Sequence, residues 1–303
     1  MSGFTDRNVT GQSGKCVLIT GANTGIGFEL SRVLAARGAR VLLACRDENK
    51  ARDAIDRIRH LTPNADLAFI PLDLADLHSV RNAAAQANTE PRIDVLINNA
   101  GIMYTPLQRT RQGFELQFGV NHLGAFALTA LLIPKLAETG TSRVVVTSSI
   151  THRDGNLKWD DLNAEKSYSR TQRYSDSKLA NALFFLELDR RLLAARLPVT
   201  AMGCHPGAAK TELARNAGPL SIPLFLMRPL MNSAAAGAWP ALQAATDLAE
   251  PGSYFGPTGL GGLRGPSAKS ELAACATDIA SARKLWDVSI EMTGVDPGLP
   301  PAL

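Results

Sequence analysis

The sequence predicts an α/β fold, a doubly wound parallel sheet of about seven strands with helices on both faces. Three observations carry this expectation. Short apolar runs of strand length recur along the chain, and a segment of helical length and amphipathic pattern follows most of them. The runs are nearly continuous in Val, Ile, Leu and Ala, as suits strands buried on both faces. At the first junction the turn GANTGIG joins such a run to a helical stretch.

Residues 15–20 (KCVLIT) form the first strand. Gly21, Gly25 and Gly27 then allow a tight turn and close backbone approach, and the free N–H groups at the start of the next helix (28–37) would face a pyrophosphate. The glycine spacing is GxxxGxG, which differs from the common GxGxxG fingerprint. A second strand (39–45, ARVLLAC), a charged helix (47–60), a third strand (66–74, DLAFIPLDL) and a helix (77–88) follow. The fourth strand is 93–101 (IDVLINNAG), the segment 113–136 is largely helical, and the fifth strand is 142–149 (SRVVVTSS). A helix carrying Tyr174 leads to the sixth strand, 198–207 (PVTAMGCHPG), and then to a looser C-terminal third. In that third, the glycine-rich segment 254–265 (YFGPTGLGGLRG) reads as a mobile loop. No repeat, low-complexity tract or linker divides the chain, so one domain over 1–303 is expected, with a C-terminal extension at about 250–303.

Composition narrows the function classes. With 303 residues, 45% of them hydrophobic, the chain can bury a substantial core. No apolar stretch reaches the ~20 residues of a membrane helix, and residues 1–15 are polar, so a cytoplasmic location and no transmembrane segment are expected. Cys16, Cys45 and Cys204 fall in or at the end of core strands, which with Cys275 suggests free thiols and no metal. A net charge of +4 would tolerate an anionic ligand, yet the basic residues are scattered among acids, which disfavours nucleic acid.

Ligands of doubly wound sheets bind beyond the carboxyl ends of the strands. Those ends carry, in order, the glycine turn, Arg46, Asp73, NNAG, Ser148 with Ser149, and HPG. Tyr174 and Lys178 lie four residues apart, about one helical turn, so their side chains share a face. A phenol with an ordinary pKa of ~10 is a poor acid or base at neutral pH, and a nearby cation would favour its phenolate.

TGANTGIG, LDL, NNAG, VNHLG, VTSS, YSDSK and HPG stand in the order and approximate spacing of the short-chain dehydrogenase/reductase superfamily, over roughly residues 15–295. ACRDENKA, GFELQFGVNHLGAF, YSDSKLANALF, HPGAAKTEL and ARKLWDVSIEMTGV most resemble its retinol dehydrogenase-like branch. The resemblance implies a Rossmann fold and a catalytic tetrad of Asn121, Ser149, Tyr174 and Lys178. In that scheme Tyr174 is the general acid or base, and Lys178 lowers its pKa while holding the nicotinamide ribose. Ser149 stabilises the substrate oxygen, and Asn121 binds a water that links Lys178 to solvent. Ser148 is the competing assignment, because neighbours on a strand point to opposite faces. The interval from Ser149 to Tyr174 is long and carries His152, Arg153, Trp159 and Tyr168, as an inserted loop at the site rim would.

The resemblance also places the cofactor. Gly21, Asn23, Thr24, Gly25, Ile26 and Gly27 would hold the phosphates. Asp73 and Leu74 would meet the adenine, and Asn99, Ala100 and Gly101 would pass beneath its ribose. Tyr174, Lys178, Pro206, Gly207 and Thr211 would hold the nicotinamide half. An acid at the end of the second strand suits the ribose diol of NAD, whereas an arginine suits a 2′-phosphate. Cys45 is followed by Arg46, with the acid delayed to Asp47, so NADP(H) is favoured over NAD(H). Asp47 as a mere N-cap would leave the preference open.

The stretch 208–233, apolar and interrupted by Pro219, Pro223 and Pro229, corresponds to the family's substrate lid. It suggests a lipophilic alcohol and its aldehyde or ketone as partners. The alternatives are a catalytically silent NADP(H) sensor or scaffold, and a double-bond reductase resembling protochlorophyllide reductase. A homodimer or homotetramer is the family's common assembly. His122, His152 and His205 have no second ligand at metal spacing and read as packing or loop residues.

Overall fold

The computed structural model describes residues 3–209 and 231–302. Eight strands form one sheet in the order β3-β2-β1-β4-β5-β6-β7-β8. They are β1 (Cys16–Thr20), β2 (Arg40–Cys45), β3 (Leu67–Pro71), β4 (Val95–Asn98), β5 (Ser142–Thr147), β6 (Val199–Cys204), β7 (Tyr254–Gly259) and β8 (Arg264–Lys269). The first seven run parallel, and β8 pairs antiparallel with β7. The glycine-rich segment 254–265 is therefore the β7–β8 hairpin and not a mobile loop. Its glycines supply the left-handed corner, with φ of 65° at Gly261 and 92° at Gly262.

Seven helices cover the sheet among the described residues: α1 (Gly25–Ala36), α2 (Glu48–Leu61), α3 (Leu77–Ala87), α4 (Leu116–Ala137), α5 (Arg170–Ala194), α6 (Ala234–Thr246) and α7 (Ile279–Thr293). Alternation along each strand feeds two cores. Val17 and Ile19 of β1 join Phe28, Leu30 and Val33 of α1, Ile55 and Ile58 of α2, and Leu242 of α6 on one face. Cys16 and Leu18 face the other way, in a core completed by Val80 of α3, Phe126 of α4, Leu183 of α5 and Trp286 of α7.

Helix α4 is, among the described residues, the one helix long and apolar enough to cross a membrane, although the sequence alone offered no such stretch. In the fold 83% of its most apolar window is buried, so its hydropathy is accounted for by the core. The helix passes through a π-turn at Gly119–Leu123. This turn carries Asn121 toward the sheet's carboxyl edge and His122 into the core, where Nε2 meets Ser289 Oγ of α7 at 2.8 Å. Burial pushes the pKa of His122 down to about 3, so it packs as a neutral ring among Phe118, Phe126 and Phe184.

The interval 150–169 is a largely irregular segment pinned by buried contacts, and it meets the cleft wall at Thr105. Asp161 and Arg173 form a buried ion pair at 2.9 Å, and Asp161 also accepts the N–H groups of Glu165, Lys166 and Ser167. Trp159 lies beneath Lys284 of α7, with 4.7 Å from Nζ to the ring centroid, and Tyr168 donates its hydroxyl to Thr105 O at 2.8 Å.

Candidate active site

The strand order reverses between β1 and β4, and a cleft of about 720 Å³ opens at the carboxyl ends of the strands there. Its floor is the glycine turn. Gly21 and Gly25 have φ of 65° and 55°, and a Cβ on Gly27 would stand 2.1 Å from Gly21 O. Only glycine fits there, because the start of α1 lies directly on the end of β1. Thr20 locks the opposite wall: its hydroxyl accepts the N–H groups of Asn99 (3.0 Å) and Ala100 (2.9 Å), while Asn99 Nδ2 donates to Thr20 O (2.9 Å).

Helix α1 differs from the other six in one respect. Asp47, Asp76, Glu115, Ser169, Ser233 and Asp278 each cap their helix through a side-chain oxygen, whereas Thr24 makes no such bond at α1. The first N–H groups of α1 therefore face the cleft without a side-chain cap, where an anionic group would complete them. With the glycine cradle, this donor set fits the pyrophosphate of a dinucleotide.

At one end of the cleft stand Arg46, Asp73 and Lys50. Asp47 does act as a cap, accepting the backbone N–H of Lys50 at 3.1 Å. Arg46 keeps 68% of its side chain exposed and makes only a loose pair with Asp73, 3.9 Å away. At the other end stand Tyr174, Lys178, Thr147, Ser148 and Pro206.

Tyr174 is buried, and Ser149 is the hydroxyl side chain that acts on its phenol, lowering its pKa against burial. Ser149 Oγ itself accepts from Thr151 N (3.3 Å) and Thr151 Oγ1 (3.0 Å). The neighbouring Ser148 turns away and donates to Lys178 O at 2.7 Å. Of the two serines, Ser148 is thus committed to the main chain, and Ser149 is the one that acts on the phenol. Burial holds the Tyr174 phenol well above its ordinary range, with Ser149 opposing. This departs from the expectation that the cation dominates: Lys178 Nζ lies 5.8 Å from the Tyr174 ring centroid and donates to Thr147 O at 3.2 Å. Burial also pushes the Lys178 ammonium down to about 8, with Cys204 opposing.

Asn121 is tied on both ends of its amide. Oδ1 accepts Ile102 N–H (2.8 Å), while Nδ2 donates to Ile102 O (3.0 Å) and Ser177 Oγ (2.9 Å). One lone pair of Oδ1 remains. A Cβ on Gly101 would stand 3.2 Å from that oxygen and 3.4 Å from Lys178 Nζ, so both atoms border the same small space.

Every cofactor residue expected from the sequence lines this cleft except Gly207 and Thr211. Gly207, with φ of 68°, turns the chain against Leu263, and Thr211 lies outside the described residues, as does most of the expected lid. Sequence reasoning missed Thr20, Lys50 and Tyr104. Tyr104 has a left-handed backbone, with φ of 56°, and sets its ring edge-on to Tyr174 at 5.4 Å. Thr20, as the one polar residue closing an apolar strand, carried a readable signal; Tyr104 carried none.

A sequence profile described as short chain dehydrogenase matches residues 15–219. Retinol dehydrogenase 12 of Mus musculus is 42% identical, covering 93% of this chain and 87% of that protein. The chain belongs to the short-chain dehydrogenase family. Retinol dehydrogenase 14 of Homo sapiens is 41% identical over the same shares of each chain. A solved but uncharacterized protein of Mycobacterium paratuberculosis shares 38% identity and a TM-score of 0.83, covering 98% of this chain and all of that one. This short-chain dehydrogenase is accordingly an oxidoreductase acting on CH–OH groups with an NAD(P) cofactor.

Keeping Lys178 buried has a measurable cost to this dehydrogenase. Its folded pKa of about 8 lies below the ordinary 10.5, so below pH 8 both folded and unfolded chains carry the proton and the desolvation cost is fully present. Between those values the folded chain binds fewer protons, and stability rises with pH. Lys178→Met is expected to stabilise the ligand-free protein at pH 7 by ~2 kcal/mol, after ~1 kcal/mol is deducted for the lost bond to Thr147. Denaturant midpoints at pH 7 and pH 10 check this; a gain that did not shrink at the higher pH would contradict it.

Proposed function

We propose that this short-chain dehydrogenase is an NADP(H)-dependent oxidoreductase that interconverts a lipophilic alcohol with its aldehyde or ketone, using Tyr174 as general acid and base. The observation that carries the reading is a single cleft with Tyr174 and Lys178 at one end and, at the other, an exposed arginine held only loosely by Asp73. The relatives' names make a retinoid the first alcohol to try.

Gly21, Gly25, Gly27 and the open N-terminus of α1 would hold the pyrophosphate, and Arg46 with Lys50 would hold a 2′-phosphate. Bound NADP(H) supplies or takes up the hydride. Tyr174 Oη takes the alcohol proton in oxidation and returns one to the carbonyl oxygen in reduction. The Ser149 hydroxyl donates to the substrate oxygen as charge develops on it. Lys178 Nζ supplies positive charge near that proton, and a water beside Gly101, between Asn121 Oδ1 and Lys178 Nζ, would carry the proton onward.

Initial rates with retinol, retinaldehyde and a panel of aliphatic and aromatic aldehydes, each with both cofactors, test the reading. Faster turnover of lipophilic substrates with NADP(H) is expected, and inactivity on the whole panel would sink it. Arg46→Ala is expected to raise KM for NADPH ~10-fold, the loss of a charge-assisted bond, while KM for NADH stays unchanged. An equal rise for both cofactors would mean that Arg46 reads no 2′-phosphate.

A further inference from the structure

His152 is 1% exposed, and both its ring nitrogens make bonds that only one tautomer allows. Nδ1 lies 2.6 Å from the main-chain oxygen of Ser149, which can only accept, so Nδ1 carries the proton. Nε2 lies 3.1 Å from the N–H of Ala273, which can only donate, so Nε2 offers its lone pair. From the same segment, Cys275 Sγ donates to His152 O at 3.7 Å. The ring also stands edge-on to Tyr254 of β7 at 5.7 Å. The connection between β8 and α7 thus grips the turn that follows β5.

That turn is what aims Ser149. Its carbonyl receives two donors, His152 N–H at 3.1 Å and the imidazole at 2.6 Å, which fix the peptide plane and hold Ser149 extended at φ −152°, ψ 158°. Thr151, whose two donors fix Ser149 Oγ, belongs to the same short helical turn, Ile150–Asp154. Releasing the carbonyl would let the turn rotate and carry Oγ away from Tyr174.

We propose that His152 is a positioning residue: its neutral Nδ1–H imidazole clamps the Ser149 carbonyl to the C-terminal segment and so aims the Ser149 hydroxyl at Tyr174. This rests on the roles given to Ser149 and Tyr174 above. His152 touches no reacting atom, and its influence reaches the chemistry only through Ser149.

Two variants separate the halves of the clamp. His152→Asn keeps a donor where Nδ1 was and loses the acceptor for Ala273; His152→Gln keeps an acceptor near Nε2 and loses the donor to Ser149. The contact itself can be read without turnover from the ¹³Cζ resonance of Tyr174, assigned by Tyr174→Phe, with Ser149→Ala as the reference for its loss. The imidazole ¹⁵N spectrum of the wild type should show Nδ1 protonated. His152→Asn is expected to hold kcat within ~3-fold, whereas His152→Gln loses ~10–100-fold in kcat at unchanged cofactor KM. The Tyr174 resonance should move in His152→Gln as it does in Ser149→Ala and stay in His152→Asn. A protonated Nε2, a Tyr174 resonance unmoved in His152→Gln, or equal kcat losses in both variants that track Tm would overturn the proposal. If the wild type oxidises no alcohol, the proposed reaction fails, and the Tyr174 resonance alone decides the clamp.

Discussion

Tyr174→Phe is expected to lower kcat by ~10²–10⁴-fold while leaving NADPH binding within a few-fold of wild type. Removing the hydroxyl deletes the phenol that lines the cleft beside Lys178, and with it the proposed proton donor and acceptor. The ring stays in place, since Tyr174 is buried and packed edge-on against Tyr104, so folding should be preserved. Single-turnover rates beside a fluorescence titration of NADPH check both halves. A variant with unchanged kcat would move the acid elsewhere, and one that lost binding and rate together would make Tyr174 a structural residue of the cleft. The raised phenol pKa adds a sign. Because burial disfavours the phenolate, oxidation, which needs it as base, should quicken as pH rises toward the phenol's own titration, whereas reduction, which needs the phenol, should not.

Gly27→Ala carries the other large effect. A methyl there would lie 2.1 Å from Gly21 O and 2.8 Å from Asn99 Nδ2, and neither can yield without moving β1 relative to α1 or breaking the bond from Asn99 to Thr20. Overpacking of this kind costs ~1–3 kcal/mol. The shift also displaces the N–H groups meant for the pyrophosphate, so NADPH affinity should fall by ~10²-fold or more. Gly11→Ala is the control, since a Cβ there meets nothing within 4 Å. Thermal melts and NADPH titrations of both variants would show it; retained affinity in Gly27→Ala would mean that the glycine turn is not the phosphate cradle.

Much of the fold was legible because parallel strands buried on both faces leave continuous apolar runs, as in CVLIT and VVVT. The β7–β8 hairpin was not, because its residues, YFGPTG and RGPSAK, have the composition of a loop. They are strands through pairing with β6 and with each other, a tertiary effect that local propensity does not record. The same division holds at the site. Ser149, Tyr174 and the glycines stand out by type and spacing, and the choice between Ser148 and Ser149 needed the hydroxyl directions. The balance of forces on Tyr174 could not be read at all: a lysine one turn away suggested a lowered phenol, while burial, which depends on the whole fold, raises it. His152 was seen only as a lone histidine, because its partner Ala273 is 121 residues away and offers nothing but a backbone N–H.

The missing side-chain cap on α1 reaches beyond catalysis. A helix whose first turn is completed by a ligand leaves part of the folding free energy outside the chain, to be supplied by the surroundings. Such linkage grows with the logarithm of free ligand and reaches ~2.7 kcal/mol when the dinucleotide stands at a hundred times its dissociation constant. The opening of α1 would then become rarer as the dinucleotide concentration rises. Through the uncapped start of α1, binding of the dinucleotide and stability of the helix would be one equilibrium.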